Sequence, residues 1–207
     1  VFVKICGITR GEDAQAAVDL GAAAIGFVFW PGSPRFIDPF RARVIAAALP
    51  PFVTAVGVFV NQSVEEVNGV SSLVPLGAVQ LHGDEPPSFA AHVRRPVVKA
   101  LFQFDAAEVA AWPSRITLLA DAHDPVRRGG TGVKADWSAA AALARSRRVI
   151  LAGGLGPDNV ADAIEAVRPF GIDVSSGVEV RPGIKDRAKM EALFGALARV
   201  HAGETVQ

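Results

Sequence analysis

The sequence predicts an α/β fold, a single-domain (β/α)8 or TIM barrel with eight parallel strands. Three observations predict it. Short apolar, β-branched runs recur eight times over 207 residues, and each is followed by a loop and then by a stretch of helical character. The runs are apolar on both faces, as parallel strands covered on two sides must be. The Gly-rich turn that a doubly wound dinucleotide-binding sheet usually carries after its first strand is replaced here by Cys6-Gly7-Ile8-Thr9, and the glycine clusters come late. A doubly wound open sheet is the rival architecture. The length lies at the short end of the range for the barrel.

The strands are expected at residues 2–6, 24–29, 53–59, 78–81, 97–101, 116–121, 149–152 and 172–174. A first helix is expected over residues 11–20, with Glu12 and Asp13 in its first turn, where the helix dipole favours acids. Asp38-Pro39 opens the second, an N-cap followed by proline at the first helical position. Ser63-Val64-Glu65-Glu66 opens the third as a capping box. A fourth starts near Pro86, where flanking prolines weaken the pattern, and others start at Asp105, Asp136 and Pro157. The last spans residues 186–200, and residues 203–207 read as a frayed tail of the one domain, 1–207.

Composition narrows the function. Lys plus Arg and Asp plus Glu both total 21, so nothing in the charge points to nucleic acid. The single cysteine excludes an internal disulfide. The longest apolar stretch, residues 22–30, is too short to span a bilayer, and the chain opens on a strand-like run without a charged leader and h-region. A soluble, cytoplasmic protein is expected. No obvious exposed apolar stripe points to a partner, so monomer and homodimer both stay open.

Alternation along the strands selects the candidate site. If Cys6 faces the barrel interior, so do Phe2 and Lys4. Thr117, Leu119 and Asp121 share a face on the sixth strand, and Ala78, Gln80 and His82 on the fourth. Cys6, His82 and Asp121 then converge at the carboxyl ends of the strands, the end that hosts chemistry in this fold. Each has a plainer reading when taken alone. A lone cysteine is commonly a small buried hydrophobe; Asp121 reads equally as a helix cap or a solvated acid; His82 reads as a surface histidine before a turn. Lys4 either snorkels to solvent or points inward, where it needs an acid such as Asp173 and would favour the Cys6 thiolate.

Two late segments suit a phosphate. Gly153-Gly154 follows the seventh strand and Asp173-Val174-Ser175-Ser176-Gly177 follows the eighth. Bare backbone N–H groups and a helix N-terminus at these two loops commonly bind phosphate in such barrels. Gly129-Gly130-Thr131-Gly132 reads as a mobile loop over the mouth or as a plain connector.

Together, Lys4-Ile5-Cys6-Gly7-Ile8-Thr9, Gly26-Phe27-Val28-Phe29, Ser33-Pro34-Arg35, Gln80-Leu81-His82-Gly83, Asp121 with Gly129-Gly130-Thr131-Gly132, Gly153-Gly154-Leu155 and Asp173-Val174-Ser175-Ser176-Gly177-Val178-Glu179 strongly resemble the phosphoribosylanthranilate isomerases, in order and over nearly the whole chain. The resemblance implies an enzyme of tryptophan biosynthesis. Its reaction is the Amadori rearrangement of N-(5-phosphoribosyl)anthranilate to 1-(2-carboxyphenylamino)-1-deoxyribulose 5-phosphate, with no metal or organic cofactor. It implies Cys6 as general base, Asp121 as general acid, Arg35 on the anthranilate carboxylate, and Gly153, Gly154, Ser176 and Gly177 on the phosphate. His82, Asp173 and Ser175 are further expected substrate contacts, His82 the less secure. The partner implied is thus a phosphorylated sugar–anthranilate. The residue types fit: an acid must protonate the furanose ring oxygen, and a base must then remove the sugar C2 hydrogen.

Ala120 and Ala135 stand where bulkier residues are common in relatives, and His123 and Asp124 lie close enough to Asp121 to share its proton. Spacing alone does not separate Asp121 from Asp124; strand-end placement favours Asp121. Three other readings compete. A histidine-pathway isomerase does the same chemistry but typically with paired aspartates, against Cys6 here. Indole-glycerol-phosphate synthase would want a catalytic lysine, for which Lys99 is the only late-strand candidate. A non-catalytic phosphosugar-binding barrel would have no need of Cys6 and Asp121 together.

Overall fold

A computed structural model describes residues 1–121 and 136–204. The eight strands are β1 (Phe2–Cys6), β2 (Ala24–Val28), β3 (Thr54–Phe59), β4 (Ala78–Leu81), β5 (Val97–Leu101), β6 (Thr117–Ala120), β7 (Val149–Leu151) and β8 (Gly171–Val174). They pair in parallel, in sequence order, and the sheet closes when β1 pairs with β8, Lys4 lying beside Asp173. The open sheet is thereby excluded. Gly171 makes the seam possible: a Cβ there would stand 2.9 Å from the Phe2 carbonyl oxygen.

Helices α1 (Gly11–Asp19), α2 (Pro39–Ala47), α3 (Val64–Leu73), α4 (Ala106–Ala111), α5 (Trp137–Ala144), α6 (Val160–Val167) and α7 (Arg187–Glu204) surround the barrel. Their starts obey local chemistry. The Asp38 carboxylate accepts from the N–H groups of Phe40 and Arg41. Ser63 and Glu66 close the expected capping box, and Asp105 and Asp136 cap α4 and α5. The fourth connection shrinks to a 3-10 turn, Pro87–Ala91. Proline at its start and at Pro96 leaves no room for a longer helix. Helix α6 begins at Val160 rather than at Pro157, because Asn159 spends its side chain on the preceding loop. Helix α7 runs through Gly203 and Glu204, part of the expected tail; residues 205–207 lie outside the described residues, as do His123, Asp124, Ala135 and the 129–132 glycine segment.

One element went unforeseen. After β8 a short turn, Ser176–Val178, leads into an antiparallel hairpin, β9 (Glu179–Arg181) and β10 (Ile184–Lys185). Gly183 turns it with φ of 80°, and its carbonyl accepts from the Thr9 hydroxyl at 2.5 Å. The hairpin is thus fastened to the loop after β1.

Most apolar side chains pack in the layer between strands and helices, with Phe27, Phe59, Leu81, Leu118 and Ile172 fully buried. The barrel interior is divided. Ala100, Leu119, Ile150 and Ala152 fill one side. Lys4, Gln80 and Asp173, all buried, fill the other as a polar layer. The outer surface corrects one expectation: Phe36, Phe40 and Val44, spaced four residues apart along and before α2, are exposed, and Phe52 is 100 % exposed at φ of 71°.

Candidate active site

A cleft of about 450 Å³ opens at the carboxyl ends of the strands. Alternation along the strands delivers the expected groups to it. Cys6, at the end of β1, and Asp121, just past β6, both line it although both are largely buried, Cys6 at 8 % exposed. His82 and Gln80 reach it from β4, and Asp173 and Ser175 from β8. Gly153, Gly154 and Ser176 form one rim, and Arg35 stands in the loop after β2. Gly177 is set behind that rim. A Cβ there would run into the Leu155 carbonyl, so its bareness lets the seventh and eighth loops touch.

Cys6 sits where β2 has Gly26. A Cβ at Gly26 would stand 2.7 Å from the Cys6 sulfur and 3.1 Å from Lys4 Cε. The strand is therefore bare at the point where sulfur and ammonium need room. Lys4 points inward, as one expectation had it, and donates to Asp173 Oδ2 at 2.7 Å and to Gln80 Oε1 at 2.9 Å. Burial works against its charge, but Asp173 and Cys6 more than offset this, and its pKa is raised. The expected thiolate does not follow. Burial and the Asp173 charge push the Cys6 thiol up, and the opposing pull of Lys4 and Lys185 is smaller. The net direction disfavours the thiolate in the substrate-free site.

The Arg35 fork is held by an acid of this chain. Nε and Nη2 donate to the two carboxylate oxygens of Glu179 at 3.0 and 2.7 Å. Glu179 also accepts from Lys185 Nζ at 2.9 Å. Burial would raise the Glu179 pKa, yet Arg35 and Lys185 outweigh it and the net direction is down. Lys185 itself is pulled down by burial despite Glu179. The hairpin thus supplies a buried acid and a buried cation that orient Arg35.

The remaining contacts brace the cleft. The Ser175 hydroxyl donates to the Cys6 carbonyl at 3.1 Å, and Lys185 Nζ donates to the Ser175 carbonyl at 3.1 Å. Gly153 and Gly154 adopt φ of 82° and 65°, and Asn159 holds their loop by accepting from Gly156 N–H and donating to the Gly154 carbonyl. Val28, Val58 and Trp30 pack with Cys6 as an apolar wall. His82 Nε2 lies 3.3 Å from Asp121 Oδ2. One Asp173 oxygen, Oδ1, is buried without a partner. Lys99 is turned away into a buried pair with Glu85 at 2.9 Å, so it offers no catalytic lysine. Among the described residues, no group of three or more His, Cys, Asp or Glu is arranged to hold a metal ion.

Trp30, Gln80, Glu179 and Lys185 were not on the expected list. Gln80 was within reach of the sequence, two residues before His82 on one strand face. Nothing in the sequence announces Lys185, because the hairpin that carries it has no clear strand pattern.

Residues 3–196 match the family model described as N-(5'-phosphoribosyl)anthranilate (PRA) isomerase. A protein of that name from Hahella chejuensis is 48% identical over 203 residues, covering 96% of this chain and 95% of the relative. The crystal structure of the Thermus thermophilus phosphoribosyl anthranilate isomerase superposes with a TM-score of 0.88 at 46% identity, covering 97% of this chain and 100% of the other. A phosphoribosyl anthranilate isomerase complexed with reduced 1-(o-carboxyphenylamino)-1-deoxyribulose 5-phosphate gives 0.84 at 43% identity, covering 96% and 99%. Monomers generated from the dimeric Thermotoga maritima isomerase give 0.85 at 41% identity, again covering 96% and 99%.

Proposed function

The chain belongs to the N-(5'-phosphoribosyl)anthranilate isomerase family, and from that premise we propose how its residues divide the work. The enzyme is an aldose–ketose isomerase of tryptophan biosynthesis. It converts N-(5-phosphoribosyl)anthranilate to 1-(2-carboxyphenylamino)-1-deoxyribulose 5-phosphate by general acid and base catalysis.

The observation that carries the assignment is that Cys6 and Asp121, from strands far apart in sequence, line one cleft whose rim is the Gly153-Gly154 turn. Asp121 gives a proton to the furanose ring oxygen. The bond from that oxygen to C1 breaks, and the nitrogen lone pair closes a protonated Schiff base. In its thiolate form, Cys6 then takes the C2 hydrogen as a proton, and the bonding electrons neutralise the iminium as an enol amine. Tautomerisation of the enol gives the ketose. Burial holds the thiol pKa up in the free site, and the iminium formed on ring opening places positive charge near the sulfur, which favours the thiolate at the step that needs it.

Gly153, Gly154 and Ser176 take the phosphate, with Gly177 supporting their loop. Arg35 faces the anthranilate carboxylate. Its hold on Glu179 fixes the plane of the guanidinium at the rim of the cleft. The apolar wall of Val28, Val58 and Trp30 takes the aromatic ring. The unpartnered Asp173 Oδ1 suits a sugar hydroxyl, and His82 serves the same end of the substrate. We read residues 1–207 as one catalytic domain, cytoplasmic, and homodimeric in view of the dimeric Thermotoga relative and the exposed Phe52.

A fluorescence assay of the purified protein on phosphoribosylanthranilate, run beside the histidine-pathway substrate, tests the function. Cys6→Ala and Asp121→Asn should each lower turnover at least about a hundredfold while product binding persists. Near-normal rates in both would defeat the residue assignment.

A further inference from the structure

Along the floor of the cleft, side chains from the ends of four strands form one row: Asp173, Lys4, Gln80, His82 and Asp121. Chemistry fixes the direction of its bonds. Lys4 Nζ can only donate, so the Gln80 atom 2.9 Å from it is the amide oxygen. The amide NH2 of Gln80 must then be the group 2.9 Å from His82 Nδ1. An NH2 can only donate, so Nδ1 accepts and carries no proton. The ring proton belongs on Nε2, 3.3 Å from Asp121 Oδ2. The edge of Phe102 packs on the imidazole at 5.3 Å between centroids, which keeps the ring from turning over. All five members of the row are buried.

We propose that Gln80 is a positioning residue. It holds His82 as the Nε2–H tautomer, which commits Asp121 Oδ2 to accepting and assigns the proton delivered to the sugar to Oδ1. This rests on the reading of Asp121 as the acid. The charged groups that face His82 are Asp121 directly, and Lys4 with Asp173 through Gln80. When Oδ1–H protonates the ring oxygen, the new carboxylate has the Nε2–H group 3.3 Å away, near enough to be drawn into a hydrogen bond. In the other tautomer that bond could not form, because two lone pairs would meet.

Nitrogen-15 NMR of the imidazole rings at pH 8 reads the tautomer directly, with the His82 signals identified by their loss in His82→Gln. The wild type should show the proton on Nε2. Gln80→Glu turns the donor into an acceptor, so the proton should move to Nδ1. Turnover should fall at least about tenfold with KM changed by less than about twofold, the pattern of a misplaced acid rather than of lost binding. In Gln80→Met, which only removes the donor, the two tautomers should mix. A wild-type ring protonated on Nδ1 overturns the proposal. So does a pattern identical in wild type and both variants, or a moved proton with turnover unchanged. Full turnover in Asp121→Asn would instead strike the acid assignment, while a tautomer shift in Gln80→Glu would still stand.

Discussion

Cys6, the proposed base, has its thiol pKa pushed up by its surroundings. It is sealed between the polar layer and the apolar wall, with Asp173 nearby and Lys4 only partly compensating. Alkylation by iodoacetamide, followed against pH in the free enzyme, should therefore stay slow through pH 8 and climb only above the ordinary thiol range of about 8.5. Lys4→Met removes a cation that pulls the thiol down, so the curve should move to still higher pH. A curve centred at or below the ordinary thiol range would refute this account of the sulfur. At this scale the sequence was generous with identities and poor in electrostatics. Alternation put Cys6, His82 and Asp121 at one mouth and paired Lys4 with Asp173. The sign of the effect on Cys6 was out of reach, because it depends on burial and on a second acid, and neither follows from spacing. The acid that holds the Arg35 fork, Glu179, lay in a segment whose fold had not been anticipated.

The hairpin β9–β10 is the element that orients Arg35 at the cleft. It brings Glu179 between Arg35 and Lys185, fastens to the loop after β1 through Thr9, and is tied to α1 where Lys185 N–H donates to Asp13 at 3.0 Å. Its stability should depend on acid in a definite sense. The folded Glu179 pKa is below its ordinary value. As pH falls below the ordinary glutamate range, the unfolded chain takes up its proton first, and the stabilisation is lost as pH drops towards the folded value. Denaturant midpoints measured from pH 7 down to pH 3 should fall less steeply in Glu179→Gln than in the wild type; parallel slopes would contradict the pairing. Strands and capped helices were legible because each carries its own signal: apolar β-branched runs, or Ser63, Asp38 and Asp136 at their caps. The hairpin is short, half exposed and polar, and it is held by partners scattered along the chain. A local reading has nothing to detect there.

At the scale of the molecule the barrel has two dissimilar ends. One holds the acid–base cleft. The other opens as a hollow of about 560 Å³ lined by Phe2, Thr54, Val97 and Phe170 among others, and Phe52 is fully exposed two residues before Thr54. Arg95, Arg115 and Arg148 also line this hollow, so self-association at this end would bury apolar area around Phe52 while leaving the arginines at a solvated rim. Sedimentation velocity should show a concentration-dependent dimer, and Phe52→Ser should shift it to monomer with turnover little changed. A wild type that stays monomeric throughout would exclude the homodimer. Eight alternations were enough to read the closed sheet, because parallel strands buried on both faces leave few other architectures at this length.

The seam between β1 and β8 has a consequence for assembly. The strand bearing the sulfur is written first, but its second neighbour is not available until residue 171 has been made and docked. Helices can form early from nearby residues, whereas the thiol meets its ammonium–carboxylate setting only when β1 and β8, whose Lys4 and Asp173 are 169 residues apart, have paired. Recovered turnover after dilution from denaturant thus reports that pairing, and it should lag behind the return of helical signal.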